Sequence, residues 1–324
     1  MGKNSVSRRY LNKSFIYDLK EGILKSFLDY IHNDNTLDLE IRENYINIYY
    51  RGGSLLKLTQ KNNSYISSFN FEYISDDNKL LMDDLSTLPK TIQSSYDSNN
   101  WLYSFPLLKK IMDNYFTKID KSEREFQQLI ARENNYSQIS NDTDYFILDI
   151  EYTNSRFIKA RFDLVAIRWD SESNFRKKPD NCKLALIEMK YSDFALEGTA
   201  SIQKHINDIE EFIENTEIFN NFKAEMLEIF KQKRELGLIK FGQNGNSYPI
   251  ESLSNDKPEF ILLIANHKPT RSKLQSILKE IQPMKNAELK FARANFMGYG
   301  LYKDCIYDFK SFLELFSKTI YSRL

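Results

Sequence analysis

Two short apolar stretches that carry charges at matching depth constrain this chain more than any other feature. Ala160 to Trp169 reads Ala-Arg-Phe-Asp-Leu-Val-Ala-Ile-Arg-Trp, and Lys183 to Lys190 reads Lys-Leu-Ala-Leu-Ile-Glu-Met-Lys. Both are rich in branched and aromatic residues, and a polar segment with Asp, Ser, Asn and Pro separates them, so each predicts a strand. Side chains alternate along a strand, which puts Asp163 on the face of Val165 and Ile167, and Glu188 and Lys190 on the face of Leu184 and Leu186. An unpaired charge at the end of an apolar face costs several kcal/mol, so these groups need one another or a ligand. A hairpin about the loop 170–182 has its midpoint near Phe175 and Arg176, and Asp163 then falls almost opposite Glu188. Two carboxylates beside an ammonium suit a hard divalent cation that prefers oxygen donors.

These residues resemble the signature of the PD-(D/E)XK nuclease superfamily: an Asp, a variable gap, then Asp or Glu, any residue, and Lys. The matching positions are Asp163, Glu188 and Lys190. The literal Pro179-Asp180 pair does not serve, because pairing Asp180 with Glu188 puts a hairpin tip at Leu184, inside the apolar strand. The structural alternative is a surface strand with one cross-strand ion pair.

The surrounding elements extend the resemblance over about residues 122–265. A helix from Ser122, with Asp120 or Ser122 as its cap, precedes an alternating strand from Tyr145 to Tyr152 and then the two strands above. Helices follow from Gly198 or Thr199 to about Asn215 and from about Ile218 to Leu236. Glu259 to Ala265 is a nearly continuous apolar run, as in a strand buried on both faces. Helix, three strands, helix, strand is the order of the superfamily's core. The fold class expected is therefore α/β: a restriction-endonuclease-like mixed sheet flanked by helices, with a smaller β-rich N-terminal domain. The expected domains are 1–100, with a leading helix over Phe15 to Ile31, and 101–324, a nuclease-like domain with a C-terminal extension. The N-terminal block has strands at Tyr45 to Tyr50, Ser54 to Leu58 and Tyr65 to Ile74, with Gly52-Gly53 marking a hairpin. Its aromatics, interleaved with Arg51, Lys57 and Lys61, suit the core and edge of a small sheet better than a base-stacking surface. A further helix is expected from about Phe105 to Ile119, and C-terminal elements over Ser272 to Ile281, Leu289 to Leu301 and Tyr307 to Ile320.

The resemblance implies a metal-dependent nuclease hydrolysing phosphodiester bonds, with DNA as the expected substrate and Mg²⁺ or Mn²⁺ as the cofactor. Asp163 and Glu188 would hold the metal with the carbonyl of Met189, and Lys190 would serve the attacking water or the developing charge. An acidic residue from the first helix often joins such sites. Glu123 fits by its spacing to Phe126 and Ile130, and fits first-turn dipole complementation equally. Gln203 matches the polar residue on the helix after the Lys, with Lys204 or His205 as phosphate contacts. Asp149 and Glu151 are rivals for the metal, or face solvent. Lys159, Arg161 and the Arg176-Lys177-Lys178 group are candidates for holding the phosphate backbone. The alternative function is a non-catalytic nucleic-acid- or protein-binding module on a nuclease-like fold.

Composition narrows the rest. Lys plus Arg and Asp plus Glu number 45 each, so no global basic field marks a DNA-coating protein, and any nucleic-acid surface must be local. Two cysteines and three scattered histidines exclude a disulfide framework and a zinc site. The basic start, Met1 to Arg9, lacks the apolar stretch of a secretory leader, and no apolar run is long enough to span a bilayer, so a cytoplasmic protein is expected.

Overall fold

The computed structural model describes residues 9–75, 85–136, 143–153, 160–178, 182–192, 202–240, 250–266, 277–278, 280–295, 298, 301 and 303–321. Contacts divide the chain into two units, Met1–Gln128 with Glu228–Ile239, and Leu129–Leu227 with Lys240–Leu324.

The first unit holds a five-stranded antiparallel sheet in sequence order: β1 (Leu37–Arg42), β2 (Tyr45–Tyr50), β3 (Gly53–Lys61), β4 (Ser64–Ser68) and β5 (Thr91–Ile92). Two-residue turns join the first strands. At the β2–β3 turn Arg51 and Gly52 have φ of 50° and 73°, the left-handed pair that matches strand twist. Gly53 lies already in β3, where a Cβ would meet Met112 Cε at 2.7 Å and Phe116 Cζ at 2.8 Å.

The single leading helix expected over Phe15 to Ile31 is instead two, α1 (Lys13–Lys20) and α2 (Lys25–Asn33). The Asn12 side chain caps α1 by accepting the Phe15 N–H at 3.0 Å. The next helix, α3 (Ser95–Phe116), starts ten residues before the expected Phe105, because Ser94 and Asp97 form a capping box. Its Trp101, Phe105, Leu108, Ile111 and Met112 are buried, and Phe105 packs on Phe27 and Tyr30. The expected boundary at residue 100 therefore moves: α3 belongs with the first sheet. So does 228–239, the second half of a later helix. Its Lys233 reaches Glu40 on β1 at 2.8 Å, with both side chains at most 1% exposed.

The helix α4 (Ser122–Tyr136) leads into the second unit. There a six-stranded mixed sheet has the order β11-β10-β9-β8-β7-β6, from β6 (Tyr145–Thr153), β7 (Arg161–Arg168), β8 (Lys183–Tyr191), β9 (Glu259–Ala265), β10 (Glu288–Ala294) and β11 (Tyr307–Asp308). The chain is thus α/β. Strands β6, β7 and β8 are antiparallel, β8, β9 and β10 parallel, and β11 antiparallel to β10. All seven residues of β9 are buried, as its unbroken apolar run requires of an interior strand.

A four-residue helix, α5 (Ser173–Arg176), lies between β7 and β8, while α6 (Ile202–Glu214) and α7 (Thr216–Glu235) lie between β8 and β9. Phe212 of α6 and Phe222 of α7 pack on Phe162, and Phe222 also meets Tyr152. On the closing helix α8 (Phe309–Tyr321), Phe312 stacks on Phe291 with centroids 4.8 Å apart. The expected Ser272 to Ile281 helix falls largely outside the described residues. Among the described residues no helix is long and apolar enough to cross a membrane.

Candidate active site

The β7–β8 pairing runs from Arg168↔Lys183 to Leu164↔Ile187, so the next step along the ladder sets Asp163 level with Glu188. Paired residue numbers have a constant sum in an antiparallel ladder, and this one centres between Phe175 and Arg176, as the sequence suggested. Beyond Leu164 the strands no longer pair. There the Met189 N–H donates to Asp163 Oδ2 at 2.7 Å, so the aspartate's carboxylate takes the place of a ladder acceptor. This bond fixes Asp163 against the backbone that carries Glu188 and Lys190.

Glu188 and Lys190 lie near the C-terminal end of β8, level with Leu262 and Ile264 of β9. They are 5% and 7% exposed, and Lys190 Nζ lies 2.7 Å from Glu188 Oε1. Burial pushes the Glu188 carboxyl above the usual range; Lys190 pulls it down, and the nearby Glu151 charge adds to the rise.

A β-bulge brings Glu151 into line. Before it, Ile147 pairs with Ala166; after it, Asp149 pairs with Val165 and Ile150 with Leu164. The extra residue shifts the register by one, so Glu151 is level with Asp163 rather than with Phe162. Glu151 itself has φ of 54°, a left-handed conformation that costs a residue with a Cβ about 1 kcal/mol or more. Its rival Asp149 is fully buried and level with Val165, so neither residue is simply a solvent-facing carboxylate.

From α6 the residue that reaches the site is His205, with Nε2 3.3 Å from Glu188 Oε1. Burial, reinforced by the Lys190 charge and opposed by Asp208, pushes its pKa down to about 4, so the imidazole is neutral near pH 7. The sequence carries a signal for this. His205 follows the buried Ile202 by three residues and precedes the buried Ile209 by four, which places it on the flank of the packed stripe.

Three further groups named from the sequence have these places. Gln203, two residues from His205, lies on another side of the helix; it accepts the Gln282 N–H and donates to Asn207, each at 2.9 Å, and so ties down a neighbouring segment. Glu123 is exposed, and the buried face of α4 starts at Phe126. The Arg176-Lys177-Lys178 group follows the hairpin tip. Asp163 lies five residues from the tip end of β7, roughly 17 Å of strand, so this group sits at the wrong end. Arg176 is committed there to the Thr143 carbonyl and to the rings of Phe146 and Trp169. Lys204 and Arg161 are exposed, whereas Lys159 lies outside the described residues, as do Pro179 and Asp180.

Among the described residues no three His, Cys, Asp or Glu side chains form a ready-made metal cage. Magnesium does not demand one: it commonly takes one or two carboxylates and keeps several waters. Asp163 and Glu188 stand at one level, the Glu151 charge is felt by Glu188, and the Met189 N–H is held by Asp163. No protein-family model, curated protein or solved structure matches this chain.

Proposed function

We propose that this chain is a divalent-metal-dependent nuclease of the PD-(D/E)XK, restriction-endonuclease-like class, hydrolysing phosphodiester bonds in DNA. The observation that carries the reading is the β7–β8 register, which sets Asp163 level with Glu188 while Lys190 stands 2.7 Å from Glu188. Support also comes from the element order helix, three strands, helices, interior strand in α4, β6, β7, β8, α6, α7 and β9. Agreement between a short motif and the fold around it weighs more than either alone.

Asp163, Glu188 and the Met189 carbonyl are the groups that would hold Mg²⁺ or Mn²⁺. Such an ion, when bound, polarises a phosphate oxygen and acidifies a bound water. Lys190 brings a positive charge to the side where the phosphorane becomes more negative, and its burial keeps that charge from being screened by solvent. Exposed Arg161 and Lys204 would hold flanking phosphates, a contact that orients DNA without reading its sequence.

A second reading has one observation in its favour. Lys190 and Glu188 already neutralise each other, and such a pair can persist in a fold that binds nucleic acid or protein without cutting it. Purified protein incubated with supercoiled plasmid and with linear DNA, in Mg²⁺, Mn²⁺ or chelator, separates the two. Cleavage that needs the metal and is lost in Asp163→Ala supports the nuclease. Binding without cleavage in either metal supports the module.

A further inference from the structure

We propose that His205 is a positioning residue of this site, one that fixes the plane of the Glu188 carboxylate so that its second oxygen is presented to the metal; this rests on the nuclease reading above. His205 Nε2 and Lys190 Nζ converge on the same atom, Glu188 Oε1, at 3.3 and 2.7 Å. One nitrogen on a flexible four-carbon stem leaves a carboxylate free to rotate about its last bond. A second nitrogen on a rigid ring, arriving from a different element, removes that freedom. The ring nitrogen, 3.3 Å away, crowds Oε1 from the α6 side, so Oε1 is the oxygen hemmed in by the protein while Oε2 is the one left to a cation.

The ring is itself held. Ile202, Ile206 and Ile209 are each 2% exposed and set α6 against the second unit, which fixes the Cα of His205. The His205 side chain is 26% exposed and that of Glu188 7%, so solvent reaches the ring but hardly competes for the carboxylate. Gln203 contributes nothing here, since its amide is engaged by Gln282 and Asn207. Groups that orient a metal-binding side chain from behind typically matter by about 10–100-fold in metal affinity. That is the effect assigned to His205.

The test is Mn²⁺ binding to metal-stripped protein, read from the electron-paramagnetic signal of free Mn²⁺, with thermal melting on the same samples. Wild type should bind and Glu188→Gln should not. His205→Ala should bind about tenfold or more weakly and melt close to wild type, and His205→Gln, which restores a polar side chain of similar reach, should recover part of the loss. Affinity in His205→Ala equal to wild type overturns the role of His205 alone. So does a weakening that tracks a large drop in melting temperature and is not rescued by Gln, which makes the residue merely structural. Absence of Mn²⁺ binding in wild type removes the nuclease reading and the positioning role together.

Discussion

Replacing Lys190 by Met keeps the packed methylenes and deletes the charge, and it separates what this lysine does for the reaction from what it does for the fold. The Lys190–Glu188 pair is close, and the two side chains are 9% and 7% exposed, so solvent screening discounts it little. Removing one partner of such a buried pair typically costs about 3–5 kcal/mol, because the other charge is stranded. Glu188 can limit the loss by taking up a proton. From an ordinary carboxyl pKa near 4.3, a neutral Glu at pH 7 costs at most about 4 kcal/mol. Both routes therefore point to about 3 kcal/mol, which in a domain of this size lowers the melting temperature by roughly 6–12 °C.

The double variant Glu188→Gln/Lys190→Met strands no charge and should melt near wild type. Cleavage should behave differently. A group that acts on developing charge is worth about 10²–10³ in rate, so Lys190→Met should cut that much more slowly, and the double variant, which also lacks a metal carboxylate, should cut no faster although it is the more stable of the two. Melting in chelator and plasmid cleavage in Mg²⁺ on the same preparations test this. A Lys190→Met protein that melts and cuts like wild type refutes the reasoning, as does a double variant no more stable than the single.

Asp34 gives the first unit an acid-sensitive contact: burial raises its carboxyl, but hydrogen bonds from Lys109 and Thr36 outweigh that and hold it below the usual range. Its stabilisation is complete above the unfolded pKa near 3.9 and is lost as pH falls through the lower folded value, so Asp34→Asn should flatten the acid limb of urea midpoints; unchanged slopes below about pH 4 would count against it. Gly52→Ala should destabilise by more than about 1 kcal/mol, since φ is 73° and the new Cβ meets the Arg124 backbone; an unchanged urea midpoint refutes the turn argument. Glu151→Gly should melt no lower than wild type, because glycine adopts φ of 54° without strain, yet cut at least about tenfold more slowly; full activity would remove Glu151 from the site.

The parts of this fold that were legible are those fixed by local pattern. The β7–β8 register follows from where two apolar stretches end, since the tip of a hairpin determines every pair. The interior place of β9 follows from seven apolar or shielded positions in a row. What escaped depends on partners distant in sequence. The polar face of β1 carries Asp38, Glu40 and Arg42, which would suit solvent, but all three are buried and Lys233 arrives from 193 residues away to pair with Glu40. Similarly, the amphipathic pattern of α7 says that it buries a face but not that its second half joins the first unit.

The site shows the same division at the scale of single residues. Asp163, Glu188 and Lys190 were readable because strand alternation and the hairpin tip place them together. Glu151 was not, because its place depends on one extra residue in β6. With a regular ladder through Ile147↔Ala166, Ile150 would stand level with Asp163 and Glu151 would be turned to the other face. The bulge reverses this, and the left-handed backbone at Glu151 is a local cost that the strand accepts at the level of Asp163. Strain and bulges concentrate where a sheet re-aims a side chain, and Glu151 carries both at the level of Asp163, whereas Glu123 lies exposed on the first turn of α4.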